Sequence, residues 1–167
     1  MDPVIERAVS RMAEAGRSFA ELRPAVVAKE PWPLAERFDH APEASWGPPE
    51  ILAHVEEMLP FWSGEMERIL AARLEPVPFG RVATDPVRLG IIGRDRAVPL
   101  RELFDRIDAD VARWQRRLPV LGAGDLARRG LHPRRGEMSV ADVLEAFVVG
   151  HLEEHAMQLR DVLASGR

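Results

Sequence analysis

Apolar side chains recur at steps of three and four along four stretches of the chain, the spacing of one face of an α-helix. The first, Val4 to Lys29, carries Ile5, Ala8, Met12, Phe19, Leu22 and Val26 on that face, with Pro24 positioned to kink or shorten it. The second starts inside "SWGPPEILAHVEEMLPFWSGEMERIL" and aligns Ile51, His54, Val55, Met58 and Trp62. Gly47 suits its N-cap, Pro48 its first helical position and Glu50 its third, while Trp46 and Ile51 sit where a hydrophobic staple closes. Pro60 is expected to kink the later part. The third stripe is Leu100, Leu103, Phe104, Ile107, Val111, Trp114 and Leu118. The fourth begins at Ser139, with Asp142 completing a capping box and Met138 facing Val143 as a staple. It places Val140, Val143, Leu144, Phe147, His151 and His155 on one face and ends near Ala164.

The connections are rich in proline and glycine. "EPWPLAERFDHAPEASWGPP" reads as a link with room for one short helical turn. Residues 75–98, with three prolines and three glycines, lack helical periodicity. So long a connection allows the third helix to run parallel to the second. "GAGDLARRGLHPRRGEM" leads into the last helix, and no period-2 strand stands out anywhere. The expected fold is therefore all-α, a four-helix bundle formed by one domain over residues 1–167.

Composition narrows the function. With 46% hydrophobic residues and a formal net charge of −4, the chain has no broad attraction for nucleic acid or anionic membrane. No apolar run reaches membrane-spanning length, and the opening "MDPVIERAV" lacks the basic-then-apolar pattern of a signal peptide, so the cytoplasm is the expected location. There is no cysteine, so any thiol chemistry must use an external thiol. Lys29 is the only lysine among many arginines, which reads as a compositional bias.

Three histidines fall on core stripes: His54 on the second helix, His151 and His155 on the fourth. A lone histidine there is ordinarily satisfied by a carbonyl or a buried acid. Three unpartnered neutral imidazoles would cost roughly 1–3 kcal/mol each, whereas one divalent cation satisfies all of them. Their levels agree with a shared site. His54 lies about 10 Å from the start of its helix and His155 about 15 Å from the end of its own, so antiparallel packing brings them to similar height. Parallel packing would leave His151 and His155 at about 18 and 24 Å, well above His54. Three histidines leave coordination positions open, the pattern of catalytic zinc sites, and zinc, nickel or iron all accept imidazole.

With "WGPPEILAH", "LHPRRGEMSVADVLEAF" and a closing "GHLEEH", the chain resembles the DinB/YfiT-like superfamily of metal-binding four-helix bundles over nearly its whole length. The resemblance implies an up-down-down-up bundle, a homodimer, and a divalent metal on His54, His151 and His155. It also implies activities such as transfer of bacillithiol- or mycothiol-type thiols, a mycothiol-dependent isomerisation, or metal-dependent hydrolysis.

Two chemistries suit such a metal acting on a small-molecule substrate. An external low-molecular-weight thiol can ionise against the cation and attack an electrophile, or water with a lowered pKa can hydrolyse an ester or amide. Glu154, three residues after His151, is the candidate catalytic base; its plainer role is a surface flank or an outer partner to an imidazole. "HLEEH" also satisfies the H-x-x-E-H pattern of inverted zinc peptidases, which are large and built differently. Arg134 and Arg135, in a cluster with Arg128 and Arg129, are candidates to bind a carboxylate of the substrate or thiol, against the alternative of a solvated charge cluster. Met58 reads as pocket lining, His40 and His132 as exposed loop residues with His132 nearer a pocket edge, and Trp62, Trp114 and Phe147 as core. A dimeric bundle that binds metal without turnover, as a sensor or scaffold, is the alternative from another class.

Overall fold

The computed structural model describes residues 1–36 and 45–166. His40 lies outside the described residues. Four long helical segments carry the fold: α1 (Pro3–Ala28), α2 (Pro48–Ala71), α4 (Leu100–Arg117) and a C-terminal segment starting at Val140 and ending at Ser165. The C-terminal segment comprises α6 (Val140–Val143), a π-helical turn (Leu144–Val149) and α7 (Gly150–Ser165). Both α1 and α2 continue through their internal prolines, Pro24 and Pro60. No helix among the described residues is long and apolar enough to cross a membrane.

Cross-helix contacts fix the directions. Arg11 reaches Glu145 and Glu153 while Lys29 reaches the carbonyl of Leu163, so α1 and the last helix run parallel. Arg106 meets Glu56 and Arg117 meets Glu67, so α2 and α4 are also parallel. Arg23 contacts Arg101 and Asp105 while Gly16 packs on Val111, which sets α1 antiparallel to α4. The bundle is therefore up-down-down-up, all-α in class.

Both expected helix starts form. Gly47 N–H donates to Glu50 Oε2 at 3.1 Å, and Trp46 and Ile51 are buried beside this end. Glu50 is itself fully buried and also accepts from Ala35 N and Arg96 Nη1, so one carboxylate ties the α2 start to two connections. At the other end Ser139 Oγ accepts from Asp142 N, and Asp142 Oδ2 accepts from Ser139 N. The Ser139–Asp142 pair is a reciprocal cap, whereas Gly47, with no side chain, is capped from one side by Glu50 alone.

The connections hold more structure than the apolar pattern indicates. Residues 75–98 contain a short strand, β1 (Val77–Pro78), and a ten-residue helix, α3 (Pro86–Asp95), started by Asp85 accepting from Val87 N and Arg88 N. After α4 come a 3-10 turn (Leu118–Val120) and the short helix α5 (Ala123–Ala127). Next, β2 (Arg129–His132) and β3 (Gly136–Ser139) form an antiparallel hairpin, with β1 parallel to β2. This three-stranded sheet corrects the expectation of a chain without strands.

Candidate metal centre

The three histidines meet. His54 comes from the second turn of α2 and His151 and His155 from α7, and their ligand atoms all lie within 4.8 Å of one another. His151 Nε2 stands 3.0 Å from His54 Nε2 and 3.1 Å from His155 Nε2. Such separations match an edge of a coordination polyhedron, about 2.9–3.4 Å for ion–nitrogen bonds near 2.0–2.2 Å. His54 and His155 are buried, at 3% and 4% exposed, while the His151 side chain is 27% exposed and marks the open side.

A π-helical turn directly precedes these ligands. The Gly150 N–H donates to the carbonyl of Glu145, five residues back, and a Cβ on Gly150 would lie 2.5 Å from that oxygen. The extra residue in this turn shifts the helix face. Val148, Leu152, Ala156 and Leu159 fill the core, whereas Phe147 is only half-buried and lines a cavity, not core as expected. Across the bundle, Arg11 forks onto Glu153 and pairs with Glu145, clamping the turn to the first part of α7. These two carboxylates hold the Arg11 guanidinium firmly protonated.

The far nitrogens decide what the near ones can do. His151 Nδ1 lies 3.3 Å from Glu154 Oε2 and His155 Nδ1 2.9 Å from Gln158 Oε1. Both oxygens accept only, so each Nδ1 carries the proton and each Nε2 presents a lone pair. Two lone pairs 3.1 Å apart repel unless a cation or a proton lies between them. His54 Nδ1 is 3.4 Å from Arg88 Nη2 and 3.9 Å from Glu57 Oε2, a buried oxygen without a hydrogen-bond partner. A guanidinium only donates, so beside Arg88 the His54 Nδ1 accepts and its Nε2 carries the proton toward His151 Nε2; a cation binding His54 Nε2 displaces that proton. Carboxylate or amide behind imidazole is the usual outer support of metal-binding histidines. Burial, then the neighbouring imidazoles and guanidinium groups, holds the His54 pKa well below its ordinary value, so it is neutral and able to ligate. The donor set therefore fits a divalent cation.

A cavity of about 150 Å³ adjoins this cluster, lined by His54, His151, Trp62, Phe147, Arg81 and Arg88 among others. Trp62 and Phe147 stack at 4.3 Å and nearly parallel. Arg88 is buried and donates to the Ala83 carbonyl at 2.8 Å; Arg81 lies over the Phe61 ring and pairs with Glu57 Oε1. Burial raises the Glu57 pKa, with Arg81 opposing. A second cavity, about 170 Å³, lies between Trp32–Ala35 and Trp46 and has no titratable side chain in its described wall.

The other candidates fall elsewhere. Glu154 is 75% exposed and touches only the Nδ1 side of His151, away from the converging nitrogens. Arg134 and Arg135 are exposed and outside the cavity lining, though Arg135 lies 4.8 Å over the Phe147 ring. Met58 is core rather than lining. His132 is buried, not exposed: it closes β2, stacks on Phe147, and its Nδ1 accepts from the N–H groups of Arg134 and Arg135. Sequence reasoning missed Arg81 and Arg88, which reach the cavity from a connection without periodicity. Their one signal is the "TDP" helix start after "FGRVA", which turns α3 toward α2.

No curated protein and no solved structure matches the chain. The family model for the DinB superfamily matches residues 4–159, almost the whole sequence and all three converging histidines. The chain belongs to the DinB superfamily.

Proposed function

We propose that the protein is a divalent-metal-dependent enzyme that delivers an external low-molecular-weight thiol to an electrophilic small molecule, with His54, His151 and His155 as the metal ligands. The observation that carries this reading is the convergence of three imidazole Nε2 atoms beside an open cavity. A bound divalent cation supplies Lewis acidity, lowering the pKa of a thiol or water that enters its open position. The protein's part is to aim and hold. Glu154 and Gln158 keep the protons of His151 and His155 on Nδ1, while Arg88 contacts the far nitrogen of His54. Trp62 and Phe147 supply an apolar wall that keeps water from part of the cavity.

The choice of thiol over water rests on the cavity wall. No carboxylate is among its described lining residues, and a thiol, far more acidic than water, would ionise at the cation near neutral pH and release its proton to solvent without a general base there. Hydrolysis of a small substrate is the second reading. It needs a base, and Glu154 supports His151 from behind rather than facing the cavity, so we assign Glu154 a positioning role.

The test has two stages. Protein purified without chelator should carry a divalent ion, and adding zinc, nickel or iron to chelated protein should raise its melting temperature. No ion and no rise would remove the metal site. Conjugation of monochlorobimane with a panel of cellular thiols should then be metal-dependent and lost in His151→Ala. A metal-loaded protein inert toward every thiol and toward model esters would instead be a binding-only sensor or scaffold.

A further inference from the structure

The reading of the cavity as a substrate site leaves its two arginines unassigned, and Arg81 has the features of a fixed anion anchor. Its side chain is 11% exposed and lies 3.6 Å over the Phe61 ring, and one terminal nitrogen pairs with buried Glu57. Packing and pairing thus hold the guanidinium before any ligand arrives, which lowers the entropic cost of binding. A guanidinium carries five N–H donors in a planar fork, and the Glu57 contact occupies one nitrogen. The fork matches a carboxylate. The same cavity offers the stacked Trp62–Phe147 pair, a flat apolar surface, and lies against His54 and His151.

We propose that this cavity selects a small carboxylate with a planar or apolar body, Arg81 holding the carboxylate while Trp62 and Phe147 hold the body beside the histidines. The inference rests on the cavity being the substrate site. It makes Arg81, rather than the exposed Arg134 and Arg135, the carboxylate-binding arginine.

Benzoate and benzamide, alike in shape and different in charge, are the probes. Each is titrated calorimetrically into zinc-loaded wild type, Arg81→Gln, Arg81→Lys and His151→Ala, with circular dichroism confirming that each variant is folded. Arg81→Lys keeps a cationic partner for Glu57 if Arg81→Gln does not fold. Benzoate should bind the wild type and benzamide about ten-fold or more weaker, the scale of one charge-assisted hydrogen bond. Arg81→Gln should weaken benzoate by a similar factor and leave benzamide unchanged; Arg81→Lys should fall between. Equal affinity for the two probes, no benzoate binding, or benzoate binding indifferent to Arg81 but abolished in His151→Ala would each overturn the proposal. Repeating the titration on chelated protein separates the two readings. Benzoate binding that still depends on Arg81 supports the anchor even where the metal assignment fails, and loss of that dependence in chelated protein counts against it.

Discussion

Gly150→Ala tests whether the π-helical turn is what aims the histidines. In an ordinary helix interior this substitution stabilises by about 0.5–1 kcal/mol, because glycine loses more backbone freedom on folding. At Gly150 the new Cβ would stand 2.5 Å from the Glu145 carbonyl oxygen, where ordinary contacts begin at 3.4 Å. The two atoms must separate by 3.4 − 2.5 = 0.9 Å, and both belong to the backbone of the turn that sets His151. Overpacking of this kind costs about 1–3 kcal/mol. The net effect runs from about zero to a loss of about 2.5 kcal/mol, centred near 1 kcal/mol, which at that centre lowers the melting temperature by about 2–4 °C in a chain of this size. Gly64→Ala is the control: Gly64 lies within α2 with nothing within 4 Å of its Cβ position, so the variant should gain about 0.5–1 kcal/mol. Thermal unfolding by circular dichroism reads both, and a zinc titration should show weaker binding in Gly150→Ala only. If Gly150→Ala is as stable as wild type with unchanged zinc affinity, the turn is not fixed by this glycine and the reasoning fails.

Other predictions follow from the same structure. Ser139→Ala removes the acceptor for Asp142 N and should cost about 1 kcal/mol, read by denaturant unfolding. Burial lowers the His132 pKa below 6.5, so the unfolded chain binds the proton first as pH falls. His132 then contributes stability that is fully present above its unfolded pKa and lost as pH falls through and below it. Between about pH 7.5 and pH 5.5 the decline in melting temperature should be shallower in His132→Phe than in wild type. For the metal, excess free ion at about a hundred times its Kd should add about 2.7 kcal/mol of stability in wild type, and none in the His151→Ala, His155→Ala double variant.

The parts legible in the sequence are those where one local rule decides the structure. Helical periodicity gave the four long helices, and Gly47 with Glu50 and Ser139 with Asp142 marked two starts that the structure forms. Three histidines on two core stripes brought the candidate ligands together before any coordinates. What stayed hidden depends on contacts distant in sequence. The β2–β3 hairpin has four-residue strands with Arg129 and Glu137 paired across it, too polar and short to show an alternating pattern. Its one local sign was Gly136 after "HPRR", which adopts φ +74°, the left-handed position that three-residue hairpin loops favour. With the hairpin unseen, His132 read as a loop residue, whereas β2 packs it against Phe79 and Phe147. Two glycines within α3 masked that helix, and with it the route by which Arg88 reaches His54. The π turn shows in the sequence only as a slip in phase, from Val140, Val143 and Leu144 to Val148, Leu152, Ala156 and Leu159, which steps of three and four absorb.

The most direct test of the central claim is anomalous diffraction at the zinc edge from crystals grown with zinc. A single strong peak about 2.0–2.1 Å from the Nε2 atoms of His54, His151 and His155 is the predicted result. No peak among them, with the three imidazoles hydrogen-bonded to one another, would contradict it.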